Sequence, residues 1–237
     1  MKILNEKKLN LITAVILCVL AIGVAIVCFI PSKVVYSSGG KTYEPIYFGD
    51  RSKEQVAITF NVYEGCEVVE GILNELNKRG VKATFFIGGC WADDNLSLVK
   101  KIIDNGHEIG SHGYYHKDHS KLSEEQNKVE MTLLHDLIKR ELGYEIKLFA
   151  PPSGAFSVQT LKVAESMGYK TILWTKDTID WRDKNRKVVY NRATKGISGG
   201  DIILMHPKEH TLEALPEILE YYKQKGLAIV TVSECIA

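Results

Sequence analysis

Short apolar runs alternate with amphipathic stretches along residues 55–237. The runs predict strands at "QVAITF", "ATFFIG", "HEIGS", "LFA", "KTILWT", "DIILMH" and "LAIVTV". The stretches between them have the helical period and predict helices at 68–78, 96–105, 123–142, 158–167, 187–197 and 212–225. Seven such alternations are typical of an α/β fold whose parallel strands close into a barrel.

A different pattern precedes this region. Residues 11–30, "LITAVILCVLAIGVAIVCFI", form an uncharged apolar run of 20 residues. A helix rising about 1.5 Å per residue would cross a hydrocarbon core of roughly 30 Å over that length. The lysines in residues 1–10 favour a cytoplasmic N-terminus, so we expect a single-pass anchor in the cell membrane with an extracytoplasmic domain. A cleaved signal peptide is the alternative, but no A-x-A-like site follows the run.

Residues 31–54 mix glycine, serine and charge without sustained periodicity, which predicts a linker. The domain proper is therefore expected at 55–237. With 30 Lys and Arg against 29 Asp and Glu, the formal net charge is +1, and no basic excess indicates a nucleic-acid partner.

The cysteines do not predict a disulfide framework. Of the five, Cys66, Cys90 and Cys235 lie outside the apolar run. Cys66 and Cys90 each follow a predicted strand, so either a disulfide between them or two free thiols fits the sequence.

Residues that could take part in catalysis or binding follow the apolar runs. They are Asn61, His112, Pro151, Asp177 and His206. In a parallel (β/α) barrel, the loops at the carboxyl ends of the strands build the active site. These side chains are therefore expected at one rim.

His112 and His116 are four residues apart, a spacing at which two imidazoles can share one zinc-like ion. Solvated or hydrogen-bonded histidines are the alternative. "DTIDW" supplies Asp177 and Asp180, which could equally be a helix cap and an exposed charge. Together with His206 at the end of "IILM", these residues form the parts of a metal-assisted hydrolase.

Five stretches in order make the chain resemble the polysaccharide deacetylase family, the NodB-homology domain of carbohydrate esterases, over about residues 55–237. They are "AITFNVYEG", "HEIGSHGYYH", "FAPPSGAF", "DTIDW" and "ILMHP". The resemblance implies a distorted (β/α) barrel. It also implies removal of N-acetyl groups from the amino sugars of peptidoglycan or a chitin-like glycan.

The resemblance further implies roles for individual residues. His112 and His116 would hold one divalent ion, with zinc the expected metal. His206 would protonate the departing amine, and Asp177 would orient its ring. Three residues would bind substrate, namely Pro151, Trp181 and Leu204. Of these, Trp181 and Leu204 would shape the pocket for the acetyl methyl.

The first motif departs from the family's T-F-D-D-G. An ungapped reading places Asn61 where the family has its catalytic base and Val62 where it has a third metal ligand. Asn accepts no proton at ordinary pH, and Val ligates nothing. The family's arginine before the prolines is Ala150 here. The loss of the arginine matches the loss of the base, because a buried arginine without its counter-charge would cost several kcal/mol.

Two nearby carboxylates could replace what is missing. Glu64 or Glu67 could reach the ion or the water, Glu64 as the catalytic base and Glu67 as the third ligand. Glu67 also suits the first turn of the following helix for purely structural reasons.

Three hypotheses follow from the sequence. The chain is an active metal-dependent deacetylase with a recruited glutamate, a carbohydrate-binding pseudoenzyme of the same fold, or an anchored scaffold with an inert histidine pair. The retention of Asp177, His206 and the histidine pair favours the first.

Overall fold

A computed structural model describes residues 42–237, of which Tyr43–Ala237 form one compact unit. The predicted cytoplasmic segment 1–10, the predicted anchor 11–30 and the first part of the predicted linker lie outside the described residues. Within residues 42–237, no helix combines the length and apolar character needed to cross a membrane.

A curled parallel sheet forms the centre of this unit. Its strands are β1 Gln55–Val62, β2 Thr84–Ile87, β3 Glu108–Ser111, β4 Leu148–Phe149, β5 Lys170–Thr171, β6 Lys176–Asp177, β7 Ile202–Met205 and β8 Ala228–Val230. The spatial order is β5-β4-β3-β2-β1-β7-β6, and β8 pairs with the start of β1. The predicted α/β fold with about seven parallel strands is confirmed as a distorted, partly open barrel.

Helices cover the outside of the sheet. They are α1 Cys66–Lys78, α2 Gly89–Asp94, α3 Leu96–Asp104, α4 Glu124–Leu142, α5 Val158–Ser166, α6 Arg186–Thr194, α7 Glu209–Gln224 and α8 Val232–Cys235. Two 3₁₀ turns, His119–Lys121 and Pro152–Gly154, lie in loops at the carboxyl ends of strands. All six predicted helices are present, whereas α2 and α8 are too short to give a helical period in the sequence.

The apolar stretch "KTILWT" is not a single strand. β5 ends at Thr171, and the next strand, β6, begins at Lys176 and pairs with β7 at the opposite end of the sheet. Residues 172–175 therefore cross from one edge of the sheet to the other. The buried side chains of Ile172 and Leu173 make this crossing as apolar as a strand, which explains the difference from the prediction.

The folded unit includes residues that the sequence assigned to the linker. Ile46 bridges Ile172 beside β5, and Phe48 bridges Asp201 beside β7. Arg51 donates to the buried carboxylate of Asp201 at 2.8 Å. The segment from Tyr43 onward thus packs beside both of these strands and belongs to the domain.

Strand β1 has two distinct faces, and these faces position the site. Val56, Ile58, Phe60 and Val62 belong to the large core between the sheet and the helices. Ala57 belongs to a smaller apolar cluster on the other face. Because side chains alternate along a strand, Asn61 shares the inner face, where the pocket lies, while Val62 points toward the helices.

The cysteine alternative is resolved in favour of free thiols. Cys66, Cys90 and Cys235 are all unpaired in the described part of the chain. Cys66 instead donates its Sγ–H to Asn95 Oδ1 at 3.1 Å.

Candidate active site

The two motif histidines face each other just after β3. Their ring centroids are 5.0 Å apart at an interplanar angle of 65°. His112 Nδ1 lies 2.7 Å from the carbonyl oxygen of Ala150. Since a carbonyl only accepts, Nδ1 carries the proton and Nε2 keeps a free lone pair, the form that a metal ligand requires.

Burial keeps this pair neutral. It lowers the pKa of His112 to about 3, with the neighbouring His116 adding to the effect. Burial also lowers the pKa of His116. Two unprotonated imidazoles therefore converge on one side of the pocket at neutral pH.

His206 follows β7 and is bound to a buried carboxylate, but not to the predicted one. Its Nδ1 donates to Asp180 Oδ1 at 2.7 Å, and its backbone N–H donates to Asp180 Oδ2 at 2.6 Å. Thr211 Oγ1 also donates to Asp180 Oδ2, at 2.8 Å. The assignment of Asp177 as the partner of His206 is wrong, because the Asp177 carboxylate instead accepts from the Ile179 N–H at 2.8 Å.

The local backbone explains why Asp180 reaches His206. Ile179 adopts a left-handed conformation with φ 54°, which turns the chain sharply after β6. The turn places the Asp180 side chain, 1% exposed, under the histidine and leaves Trp181 52% exposed at the rim. Asp177 remains in the site as a residue lining the pocket.

Asn61 lies on the inner face at the end of β1 and is 3% exposed. Its Oδ1 finds no hydrogen-bond partner among the described residues. A buried, unpaired amide oxygen costs about 1–3 kcal/mol, so it is a candidate contact for a bound group. Val62, on the opposite face, cannot contribute to the pocket.

Tyr63 is a site residue that the sequence analysis missed. Its ring centroid lies 4.3 Å from that of His116, 6.4 Å from that of His112 and 6.3 Å from that of His206. The alternation that places Asn61 on the inner face predicts the same face for Tyr63, two residues later. The ungapped reading, which placed Val62 at a ligand position, drew attention away from this alternation.

These residues surround a cavity of about 330 Å³. The predicted residues Trp181 and Leu204 line it, and Trp174 and Ser153 do so as well. Pro151 is buried and does not line the cavity, which is faced instead by Ser153 two residues later. The site thus combines an apolar wall with three histidines and one unpaired amide.

Neither candidate glutamate lies in this cavity. Glu64 is exposed and forms an ion pair with Lys208 at the rim. Glu67 is exposed in the first turn of α1. Across residues 42–237, no cluster of three or more His, Cys, Asp or Glu side chains is arranged to hold a metal. The structure thus brings together His112, His116, Asn61 and His206, but not a glutamate with them.

The donor set that remains still fits a divalent ion in part. Two imidazoles with free lone pairs and one unpaired amide oxygen face the same cavity. Nitrogen and neutral oxygen ligands suit zinc, cobalt and nickel, although a carboxylate is the commoner third ligand.

Comparison with known proteins identifies the architecture. A family model described as "Polysaccharide deacetylase" matches residues 48–172. The chain belongs to the polysaccharide deacetylase family. The five motifs that carried the resemblance in the sequence include every residue that lines the cavity except Trp174, which follows β5.

Curated relatives of this family cover most of the domain. The uncharacterized protein YlxY of Bacillus subtilis is 41% identical over 191 residues, covering 81% of this chain and 60% of that protein. A peptidoglycan-N-acetylglucosamine deacetylase of Bacillus cereus is 31% identical over 195 residues, covering 80% of this chain and 71% of that protein. The chain therefore spans about 60% of the length of YlxY.

A solved structure shares the fold. A CE4 family pseudoenzyme from Bacillus anthracis superposes with a TM-score of 0.80 and 36% identity, covering 83% of this chain and 70% of that one. A mutant of that pseudoenzyme with restored enzymatic activity superposes equally well, with a TM-score of 0.80. Members of this fold therefore include both deacetylases and a pseudoenzyme.

Proposed function

We propose that the domain is a metal-dependent deacetylase that removes N-acetyl groups from the amino sugars of peptidoglycan. The observation that carries this is the intact acid half of the site, in which Asp180 and Thr211 hold His206 at the cavity that His112 and His116 also line. Relatives that act as peptidoglycan deacetylases support the choice of substrate.

His206 is the group that would protonate the departing amine. Asp180 fixes the tautomer with the proton on Nδ1, so that Nε2 is the atom available for proton transfer. The backbone and hydroxyl bonds to Asp180 fix the carboxylate in turn. Every group in this half is therefore oriented before substrate binds.

His112 and His116 would hold the metal, with Asn61 Oδ1 as the oxygen donor next to them. A divalent ion there would polarise the acetamide carbonyl and lower the pKa of a water molecule. The Ala150 carbonyl orients the His112 ring. Trp174, Trp181 and Leu204 provide the apolar wall against which an acetyl methyl would pack.

A second candidate function is a carbohydrate-binding pseudoenzyme. The observation in its favour is Asn61, whose amide cannot take a proton from water in the family's usual way. The fold match to a CE4 pseudoenzyme supports the same alternative. Both functions use the same cavity, and they differ only in whether the site hydrolyses the N-acetyl group of the bound glycan.

The test is acetate release from N-acetylated peptidoglycan fragments together with titration of Co²⁺ into metal-free protein. The deacetylase predicts metal binding, acetate release and loss of both in His112→Ala and His116→Ala. The pseudoenzyme predicts binding of the glycan without acetate release. A scaffold with an inert pair predicts neither metal nor glycan binding, and metal content equal in wild type and variants would refute the metal site.

We propose in addition that residues 11–30 anchor the chain in the cell membrane with the domain outside. The uncharged apolar run and the preceding lysines support this topology. Protease added to intact cells should then remove the domain. Protection in intact cells and digestion after lysis would contradict it.

A further inference from the structure

The loop that carries both metal-binding histidines has an unusual backbone. Between His112 and His116, Gly113 has φ 72° and His116 has φ 55°. A left-handed conformation is unfavourable for a residue with a side chain, so surrounding contacts must maintain it at His116. The question is which residue does so.

Glu130, on α4, meets this loop from behind. Its Oε2 accepts the backbone N–H of Tyr114 at 2.9 Å and that of Tyr115 at 2.8 Å. Its Oε1 lies 3.5 Å from Lys117 Nζ. One carboxylate thus contacts three of the four residues at positions 114–117, and His116 is the exception.

The carboxylate is almost completely buried, with Glu130 2% exposed. Removing a carboxylate from water is costly unless hydrogen bonds and a counter-charge compensate. Among the described residues, the compensation comes from the histidine loop, through its two peptide N–H groups and Lys117. The free-energy cost of burying this charge therefore depends on the conformation of the loop.

The adjoining residues fix the far end of the same loop. His119 is fully buried, and its Nδ1 donates to Asn127 Oδ1 at 2.8 Å. Asn127 Nδ2 donates to the carbonyls of Leu122 and Ser123 at 3.1 and 3.0 Å. Asn127 and Glu130 are three residues apart on the inner face of α4, so one helix face supports the loop at two points.

Gly113 makes this approach possible. A Cβ at this position would lie 2.9 Å from His119 Nε2 and 3.2 Å from Glu130 Oε2. Any larger residue would push the carboxylate away from the loop. The glycine is thus needed both for its backbone conformation and for the close approach of Glu130.

We propose that Glu130 is a positioning residue for the His112–His116 pair. It touches neither the substrate cavity nor the histidine rings, and it acts by holding the peptide groups between them. Its negative charge also favours a cation at the pair, which has no carboxylate of its own among the described residues. This role rests on the metal-binding function proposed above.

Two substitutions separate the hydrogen bonds from the charge. Glu130→Gln keeps an oxygen that can accept both N–H groups, because both bonds go to a single atom, Oε2. Glu130→Ala removes the acceptor. Glu125→Ala is the matched control, an exposed glutamate in the first turn of the same helix.

The first measurement is amide hydrogen exchange at Tyr114 and Tyr115 in the full-length protein. Wild type, Glu125→Ala and Glu130→Gln should protect both amides, and Glu130→Ala should lose that protection while the β1–β2 ladder stays protected. Retained protection in Glu130→Ala would overturn the positioning role. Loss of protection throughout the sheet would show a general folding defect, and Glu130→Gln would then decide the question.

The second measurement is Co²⁺ affinity. Glu130→Ala should weaken it by about 10-fold or more, the usual effect of removing a residue that orients metal ligands, and Glu130→Gln should weaken it less. Equal affinities in wild type and Glu130→Ala would overturn the proposal. If wild type binds no Co²⁺, the metal site proposed above fails, and amide exchange alone decides whether Glu130 holds the loop.

Discussion

The two halves of the cavity differ in completeness. In the half built by β6, β7 and α7, His206, Asp180 and Thr211 form a closed set of hydrogen bonds. In the half built by β1 and β3, the Asn61 amide oxygen is unpaired among the described residues and no carboxylate joins the histidines. Under the proposed function, the half that would donate the proton is therefore complete, whereas the half that would activate water lacks a base.

The difference also has an energetic side, because the two halves do not carry the same buried charges. A buried Asp180 without His206 would be a costly unpaired charge, so the acid half is retained as a unit or lost as a unit. In the other half, the resemblance implies that Asn61 and Ala150 stand where the family has a charged pair, and two neutral residues carry no such cost. One half can therefore change without destabilising the other.

The largest effect is expected in the acid half. Asp180→Asn should lower turnover by about 10²–10⁴, because the amide no longer holds the His206 tautomer for proton transfer. Asp177→Asn is the matched control, since it changes a carboxylate in the same cavity that does not contact His206, and it should cost less than about 10-fold. Steady-state acetate release measures both, and equal losses would show that the two aspartates share the role.

For Asn61→Asp we expect turnover to rise by about 10- to 100-fold. This is less than the usual rate acceleration by a general base, because Ala150 leaves the new carboxylate without an arginine partner. Co²⁺ affinity should rise as well, since an anionic oxygen replaces a neutral one. Val62→Asp is the control, because that side chain points into the helix-side core and should lower the melting temperature without raising activity. Unchanged turnover in Asn61→Asp would mean that the incomplete half is not limited by its base.

The histidine half should also make stability depend on pH. The pKa of His112 is about 6.5 in an unfolded chain, but burial lowers this pKa to about 3 in the folded protein. Below pH 6.5 the unfolded state therefore gains protons that the folded state does not, and stability falls as the pH falls. At pH 5 this one residue should cost about 2 kcal/mol relative to pH 7.

Urea unfolding of metal-free protein at pH 7 and pH 5 measures this effect. His112→Asn removes the titrating ring and keeps an N–H donor for the Ala150 carbonyl. The difference in unfolding free energy between the two pH values should be smaller in this variant by about the same 2 kcal/mol. An unchanged difference would show that His112 is not the group responsible.

The smallest effects are expected at the two glutamates. Glu64→Gln removes only a rim ion pair with Lys208, and Glu67→Gln changes an exposed residue of α1. Exposed ion pairs contribute about 0–1 kcal/mol, so turnover should change by less than about 2-fold in either variant. A loss of about 10²-fold in one of them would revive the recruited glutamate and make the two halves equally complete.

Individual elements show how far the sequence could be read. The helical period predicted α1 and α3 to α7 to within a few residues, because each has one buried and one exposed face. The apolar-run pattern was wrong at "KTILWT", where a buried crossing between sheet edges has the composition of a strand. The role that the resemblance implied for Asp177 was wrong, because the sequence could not show which of two carboxylates three residues apart reaches His206 without the backbone turn at Ile179.

Glu130 and Asn127 are an instructive intermediate case. They occupy buried positions on α4 in register with Met131 and Leu134, so two polar residues interrupt an otherwise apolar helix face. That interruption is visible in the sequence and could have marked them as functional. What they hold could not be predicted. Glu130 contacts peptide groups 15 and 16 residues earlier in the chain, and Asn127 contacts His119 eight residues earlier, so these contacts form only in the folded protein.

The sequence by itself determined the family, the parallel α/β fold and the presence of three histidines at the ends of strands, because periodicity and motif order are local properties of the chain. Tertiary structure decided which aspartate accepts the hydrogen bond from His206 and which residues of "NVY" face the cavity. It also placed Glu64 and Glu67 outside the cavity. These outcomes depend on strand faces and loop turns, where a shift of one residue reverses the direction of a side chain.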